Sequence, residues 1–269
     1  MCRIYACRSH HSRGAESELL AAENALRLQS HEHPDGWGLA WYKDGAPQVI
    51  RSVAAAHADE EFARAASQLR ASTIVAHVRK ASVGEVALEN THPFQHGRWI
   101  FVHNGTIPEW ETARPLLEEQ VDEPLRKLLR GDTDSERCFA LFLSKLSRRC
   151  DPDAAPFDHV ASALRETVAA VREASEPSAD SKASTTFLVT DGRVLLACRR
   201  GRSLHMQTPA PDEEGRVGWF SVSSEHPGRL APRPGAVEGE ADKHPPWHPI
   251  DENSWVGVDG SLRVHRGWL

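Results

Sequence analysis

Cys2, in the run Met1-Cys2-Arg3-Ile4-Tyr5-Ala6-Cys7, is the first side chain with nucleophilic chemistry. A small residue after the initiator methionine favours removal of Met1, and Cys2 would then carry a thiol and a free α-amine on one Cα. An unperturbed thiol titrates near pH ~8.5 and an α-amine near ~7.7–8, so the amine can take the thiol proton directly or through one water. A chain end of that kind supplies what a catalytic imidazole supplies elsewhere. The competing reading is structural: Cys2, Ile4 and Ala6 alternate with Arg3, Tyr5 and Cys7 in the period of a strand.

Other reactive groups exclude more than they suggest. The 15 histidines include His10-His11, His31-x-His33 and the pair His244 and His248, but no Cys or acidic partner recurs at zinc spacing, so no metal and no cofactor is expected. Five cysteines, an odd number with no C-x-x-C pair, read as reduced thiols. A net charge of −6 speaks against a nucleic-acid surface, and the basic spots Arg148-Arg149 and Arg199-Arg200-Gly201-Arg202 are too short to reverse that. No apolar run approaches the ~18 residues of a membrane helix and no signal-peptide core is present, so a cytoplasmic protein without a membrane partner is expected.

The elements that must position Cys2 follow from periodicity and turn chemistry. Helices are expected over 16–29, 59–70, 112–119 and 157–173, and one after Gly131-Asp132-Thr133-Asp134-Ser135-Glu136, with Asp132 or Thr133 as cap. Strands are expected over 39–42, 48–53, 72–78, 99–103, 185–190, 193–198, 217–223 and 261–265. The strand 99–103 is read as stopping at Asn104-Gly105, and Asp191-Gly192 as a type I′ hairpin turn. Residues 84–97 carry no period, and 225–249, rich in Pro, Gly and His, read as a long loop. The order suggests a sheet-on-sheet core flanked by helices in one domain, 1–269.

Several blocks stand where strands end. They are Asp35-Gly36-Trp37-Gly38, Ala76-His77-Val78-Arg79-Lys80-Ala81-Ser82, Gly84-Glu85-Val86-Ala87-Leu88-Glu89-Asn90-Thr91-His92-Pro93-Phe94, Val102-His103-Asn104-Gly105-Thr106-Ile107 and Thr133-Asp134-Ser135-Glu136. With Cys2 in front, the chain resembles the class II glutamine amidotransferases, the N-terminal-nucleophile glutaminases, and within them the stand-alone YafJ-like subgroup. The blocks cover roughly the first 140 residues. The resemblance implies an α/β (α+β) chain with the four-layer αββα fold, two stacked, mostly antiparallel sheets between helices.

It also implies roles, each with a physical warrant. Arg79 offers a planar fork for the α-carboxylate of glutamine, unless it is paired structurally with an acid. Asp134 can hold the α-ammonium, or serve only as an acid favoured at a helix N-terminus. Asn104 and Gly105 can offer an amide and a backbone N–H to an oxyanion, or form a plain Asn-Gly turn. Gly36 and Trp37 resemble residues lining the nucleophile loop, and Ser82 stands where relatives carry a hydroxyl near the substrate. Lys80 departs from the aromatic residue that synthase-linked relatives have there, and His77 and His92 read as structural.

The activity expected is hydrolysis of a γ-carboxamide through a thioester on Cys2. The ammonia acceptor is not legible. The partners implied are glutamine or a γ-glutamyl small molecule, with room for a separate synthase subunit and a homodimer. The alternatives are a γ-glutamyl-conjugate amidohydrolase, as in glutathione breakdown and ergothioneine assembly, and a non-catalytic amino-acid sensor.

Overall fold

A computed structural model describes residues 2–178, 181–228 and 245–269. The first sheet contains β1 (Arg3–Gly14), β2 (Trp37–Lys43), β3 (Ala46–Ser52), β4 (Arg70–Val78), β9 (His205–Gln207), β10 (Trp219–Ser223) and β11 (His248–Pro249), in the order β11-β9-β10-β1-β4-β2-β3. The second contains β5 (Phe94–His96), β6 (Trp99–Thr106), β7 (Ser184–Thr190), β8 (Leu195–Arg199), β12 (Ser254–Val258) and β13 (Val264–Trp268), in the order β13-β12-β8-β7-β6-β5. Neighbouring strands in both sheets run antiparallel.

Strand alternation builds the layers. Ile4, Ala6, Ala40 and Val75 of the first sheet pack against Ile100, Val102, Leu188, Ala197 and Val256 of the second. The intervening residues Tyr5, Cys7, Leu39 and Ala76 pack outward on Leu19, on Leu26 of α1 (Leu26–Gln29), and on Phe62 and Ala66 of α2 (Glu60–Gln68). Phe101, Phe187 and Leu196 of the second sheet pack outward on α3 (Trp110–Gln120), α5 (Asp134–Ser147) and α6 (Phe157–Ser175), through Leu117, Phe142 and Leu164. The short α4 (Glu123–Arg126) precedes α5. Because opposite faces of each strand are apolar, each sheet can bury both sides. The result is four layers, helices, sheet, sheet and helices.

Some expected elements differ. Residues 16–29 form a π-helical turn (Ser17–Ala21) and the four-residue α1, with Ala22 and Ala25 extended between them. Asn24 is drawn off by the 226–228 segment: its N–H reaches the Pro227 carbonyl at 2.8 Å and its side chain the His226 carbonyl at 3.0 Å. Tertiary hydrogen bonds there outweigh helix propensity. The Asp191 hairpin has four loop residues instead of two, because the Asp191 carboxylate accepts the N–H groups of Arg193 and Val194, each at 2.9 Å. The strand expected to stop at Asn104 continues through Thr106, paired to Thr186, Thr185 and Ser184. Residues 229–244 of the expected long loop, including His244, lie outside the described residues; His248 and Pro249 form β11. Among the described residues no helix is long and apolar enough to cross a membrane.

Candidate active site

Register places the candidate residues at one end of the sandwich. Arg3 of β1 and Trp37 of β2 both pair with Val78 of β4, so Cys2, Arg79 and Gly36 lie side by side one step further on. The Arg79 N–H bonds the Gly36 carbonyl at 2.8 Å, and Asp35 N–H the Arg79 carbonyl at 3.0 Å. The Asp35 carboxylate then accepts Ala81 N–H at 2.8 Å, tying the two loops together. Gly36 has φ +125°, and a Cβ there would meet the Ser52 carbonyl at 2.9 Å, so the loop requires glycine. Counting by twos from Ile4 and Val75, Cys2 and Arg79 belong to the face turned toward the second sheet. Asn104, two residues past the inward Val102, faces them from β6.

Cys2 is 8% exposed, and its thiol donates to the Lys80 carbonyl at 3.6 Å. Burial pushes the thiol pKa up, the Arg79 charge pulls it down and Asp134 pushes it up again, so the sulfur lies within the field of both groups. Arg79 is buried, and among the described residues its guanidinium donates only to backbone carbonyls, Glu85 at 2.9 Å and Val83 and Gly84 at 3.2 Å each. These fix the fork without neutralising it, unlike a carboxylate partner.

Asn104 is buried, and its Oδ1 has no hydrogen-bond partner among the described residues. A carboxamide presents a donor or an acceptor at the same place on a half-turn, so an unpaired one suits an incoming polar group. Gly105 is required by close approach, since a Cβ would lie 1.9 Å from the Ser184 carbonyl and 2.5 Å from His103 Nε2. Asp134 opens α5 just after the cap Thr133, whose hydroxyl accepts Glu136 N–H at 3.3 Å. Its Oδ2 accepts Ile107 N–H at 2.9 Å and its Oδ1 lies 3.1 Å from the Ser135 hydroxyl.

Exposed Ser82 meets the Thr106 hydroxyl at 3.0 Å, joining the loop after β4 to the end of β6. Trp37 does not line the opening. It has the parity of Leu39, is fully buried, donates its indole N–H to Asp59 at 2.8 Å and packs edge-on against Phe62 of α2. It supports the Gly36 loop from the helix side.

Sequence reasoning missed Ser224, whose hydroxyl accepts Ile4 N–H at 2.6 Å and whose N–H bonds the Ile4 carbonyl at 3.0 Å, clamping the chain next to Cys2. No local motif signals Ser224, whereas His103 stands inside the 102–107 block but is given no role of its own there. Three buried histidines crowd behind the site. Burial lowers the pKa of His77 to about 3, and those of His92 and His103 in the same direction. Neutral imidazoles are the result at physiological pH, which suits structural groups better than bases. Among the described residues no group of three His, Cys, Asp or Glu could hold a metal ion.

Comparison with known proteins bears on the same residues. The family described as class-II glutamine amidotransferases matches residues 1–217. The probable glutamine amidotransferase DUG3 of Saccharomyces cerevisiae is 29% identical over 225 residues, covering 74% of this chain and 63% of that protein. The putative glutamine amidotransferase YafJ of Escherichia coli is 33% identical over 181 residues, covering 61% of this chain and 60% of that protein. The matches thus span less than two thirds of either relative. The γ-glutamyl-hercynylcysteine sulfoxide hydrolase of Mycobacterium tuberculosis is 28% identical over 210 residues, covering 75% of this chain and 78% of that protein.

Among solved structures, a class-II glutamine aminotransferase domain protein from Silicibacter pomeroyi covers 99% of both chains with TM-score 0.63 and 20% identity. The glutamine phosphoribosylpyrophosphate amidotransferase of B. subtilis matches 99% of this chain and 49% of its own, with TM-score 0.62 and 13% identity. These likenesses speak for the fold, the N-terminal-nucleophile αββα sandwich. On the match that runs from the candidate nucleophile through both sheets, the chain belongs to the class II glutamine amidotransferases.

Proposed function

We propose that the chain hydrolyses the γ-carboxamide of glutamine, or of a γ-glutamyl compound, through a thioester on Cys2. Removal of Met1 frees the α-amine that takes the thiol proton, and the sulfur attacks the side-chain carbonyl. The Asn104 amide and the Gly105 N–H stabilise the tetrahedral oxyanion. The amine returns its proton to the departing nitrogen, and water then clears the γ-glutamyl thioester to glutamate. Arg79 holds the α-carboxylate and Asp134 the α-ammonium, a placement worth roughly 7–11 kcal/mol of barrier when the reacting atoms are held close. Gly36 gives the nucleophile backbone clearance and Ser82 borders the substrate. This reading takes residues 1–269 as one cytoplasmic domain without a resident cofactor, its ammonia going to solvent, to a separate synthase subunit or within a homodimer.

The observation that carries the reading is Arg79: a buried guanidinium held only by carbonyls, on the sheet face and beside the strand end that bear Cys2. Arg200, buried and held in an ion pair with Glu176, shows the contrasting arrangement. The relative named for a γ-glutamyl-hercynylcysteine sulfoxide favours a second reading, a hydrolase of γ-glutamyl conjugates, at the same site and by the same steps.

The test begins with the intact mass of protein made in its natural host, to read loss of Met1. Glutamate release from glutamine and from γ-glutamyl dipeptides follows, beside Cys2→Ala, which is expected to fold and to lose more than about 1,000-fold in turnover. Turnover on conjugates alone selects the second reading. Tight binding without turnover makes the chain an amino-acid sensor, and a Cys2→Ala protein that still turns over removes Cys2 as nucleophile.

A further inference from the structure

Behind Asp134 lies a short chain of buried polar groups. His103 Nε2 is 2.8 Å from the Ser184 carbonyl, so that nitrogen carries a proton in every state. His103 Nδ1 is 2.9 Å from the Ser135 hydroxyl oxygen, which is 3.1 Å from Asp134 Oδ1. His103 Nδ1 and Asp134 Oδ1 are themselves 3.9 Å apart. All three side chains are 5% exposed or less. The Ser135 hydroxyl has one proton and two acceptors, and the protonation state of His103 decides whether it can move between them.

We propose that His103 is a positioning residue that controls, through Ser135, whether Asp134 is open to a substrate ammonium group. The Ser135 hydroxyl donates to Asp134 Oδ1 while the site is empty; with His103 neutral, Nδ1 is a bare acceptor, and the hydroxyl turns to it when an ammonium group takes Oδ1. Asp134 then keeps Ile107 N–H on Oδ2 and leaves Oδ1 to the ammonium. When His103 takes a second proton from solvent, Nδ1–H donates to the Ser135 oxygen and the hydroxyl is held on Oδ1. The carboxylate stays hydrogen-bonded on both oxygens and has an imidazolium 3.9 Å away, both of which oppose an incoming ammonium.

The surroundings favour the open state. Asp134 of α5 is the acid that draws a proton to His103, while the Arg202 charge, from the segment after β8, opposes it. His77 of β4, whose ring reaches the His103 backbone carbonyl, and His92, from the segment before β5, lie within the field of His103 and would add like charge if protonated. Phe187 of β7 closes the remaining side edge-on. Burial keeps His103 below its ordinary range, so the carboxylate closes only on acidification.

The inference rests on the reading of Asp134 as the ammonium holder, and its test separates the two. Cys2→Ala protein labelled with 15N-histidine is titrated from pH 8 to 5 with and without glutamine, His103 being assigned by the signal lost in His103→Gln. Glutamine affinity is measured by calorimetry at each pH. The expected results are a neutral Nε2–H tautomer at pH 8 and an affinity that falls with the same midpoint as His103 protonation, approaching tenfold per pH unit below it. His103→Gln should flatten that fall, and Ser135→Ala should shrink it. A neutral Nδ1–H tautomer, an affinity constant through His103 protonation, or an unchanged fall in both variants overturns the relay. No glutamine binding at any pH counts against the proposed function, and the relay then stands or falls on the tautomer, which the spectra report without ligand.

Discussion

Acidification should destabilise this protein through its buried histidines before its carboxylates titrate. His77 is fully buried, and among the described residues its Nδ1 has no partner and its Nε2 reaches only the His103 carbonyl at 3.3 Å, so a second proton would create a charge with no acid beside it. Burial lowers its pKa to about 3, against about 6.5 for an unfolded chain. The unfolded state therefore binds the proton more readily, and stability falls as pH drops through about 6.5, continuing until the folded state itself protonates. Between pH 7 and pH 5 this one residue costs about 2 kcal/mol, from a limiting slope of about 1.4 kcal/mol per pH unit. His92 and His103 are displaced in the same direction and add to the loss.

Carboxylates held below their usual range, such as Asp59 and Glu118, titrate only below that window. Urea unfolding at pH 7 and pH 5 measures the effect, and His77→Gln, which cannot take the proton, should show a loss about 2 kcal/mol smaller than the parent. Equal losses in parent and variant would refute the assignment of the penalty to His77.

Two further substitutions read the site geometry. Gly105→Ala sets a methyl group 1.9 Å from the Ser184 carbonyl, on backbone that cannot step aside; it should destabilise by at least about 1–3 kcal/mol and abolish turnover even where the protein still folds, as thermal unfolding and glutamate release would report. Trp37→Phe keeps the ring on Phe62 but loses the indole bond to Asp59; it should lower stability by about 1–2 kcal/mol, with KM for glutamine within about threefold of the parent, and a tenfold rise in KM would return Trp37 to the substrate wall.

Much of the scaffold was legible because it is written in periods. The strands over 72–78 and 185–190 and the helix over 157–173 match β4, β7 and α6 to within a few residues, since their apolar alternation or 3.6-residue stripe is long. The short strands β5, β9, β11 and β12 were not, because two to five residues carry too little period and draw their edges from partners far along the chain. Asn104-Gly105 was misread for a related reason. Its letters suggest a turn, but the glycine answers to the Ser184 carbonyl 79 residues later, in a strand that continues. Long-range contacts of this kind leave no local signature.

Strand parity governs where the candidate site residues fall, including the one that turns away. Cys2 stands one residue before β1 and Arg79 one residue after β4, in step with inward Ile4 and Val75, and Asn104 follows inward Val102, so alternation alone turns all three toward the space between the sheets. The same rule applied to Leu39 sends Trp37 outward, where Asp59 and Phe62 receive it. What no pattern could supply is the environment of the arginine. Asp35 and Asp134 act on Arg79 only through their fields, with no ion pair among the described residues, and the chain wraps the carbonyls of Val83, Gly84 and Glu85 around the fork, spending a positive-φ glycine at Gly84 to do so. Carbonyls orient a guanidinium but leave its charge, so the loop 83–85 fixes the arginine's position while its attraction for a carboxylate stays available to a molecule from outside.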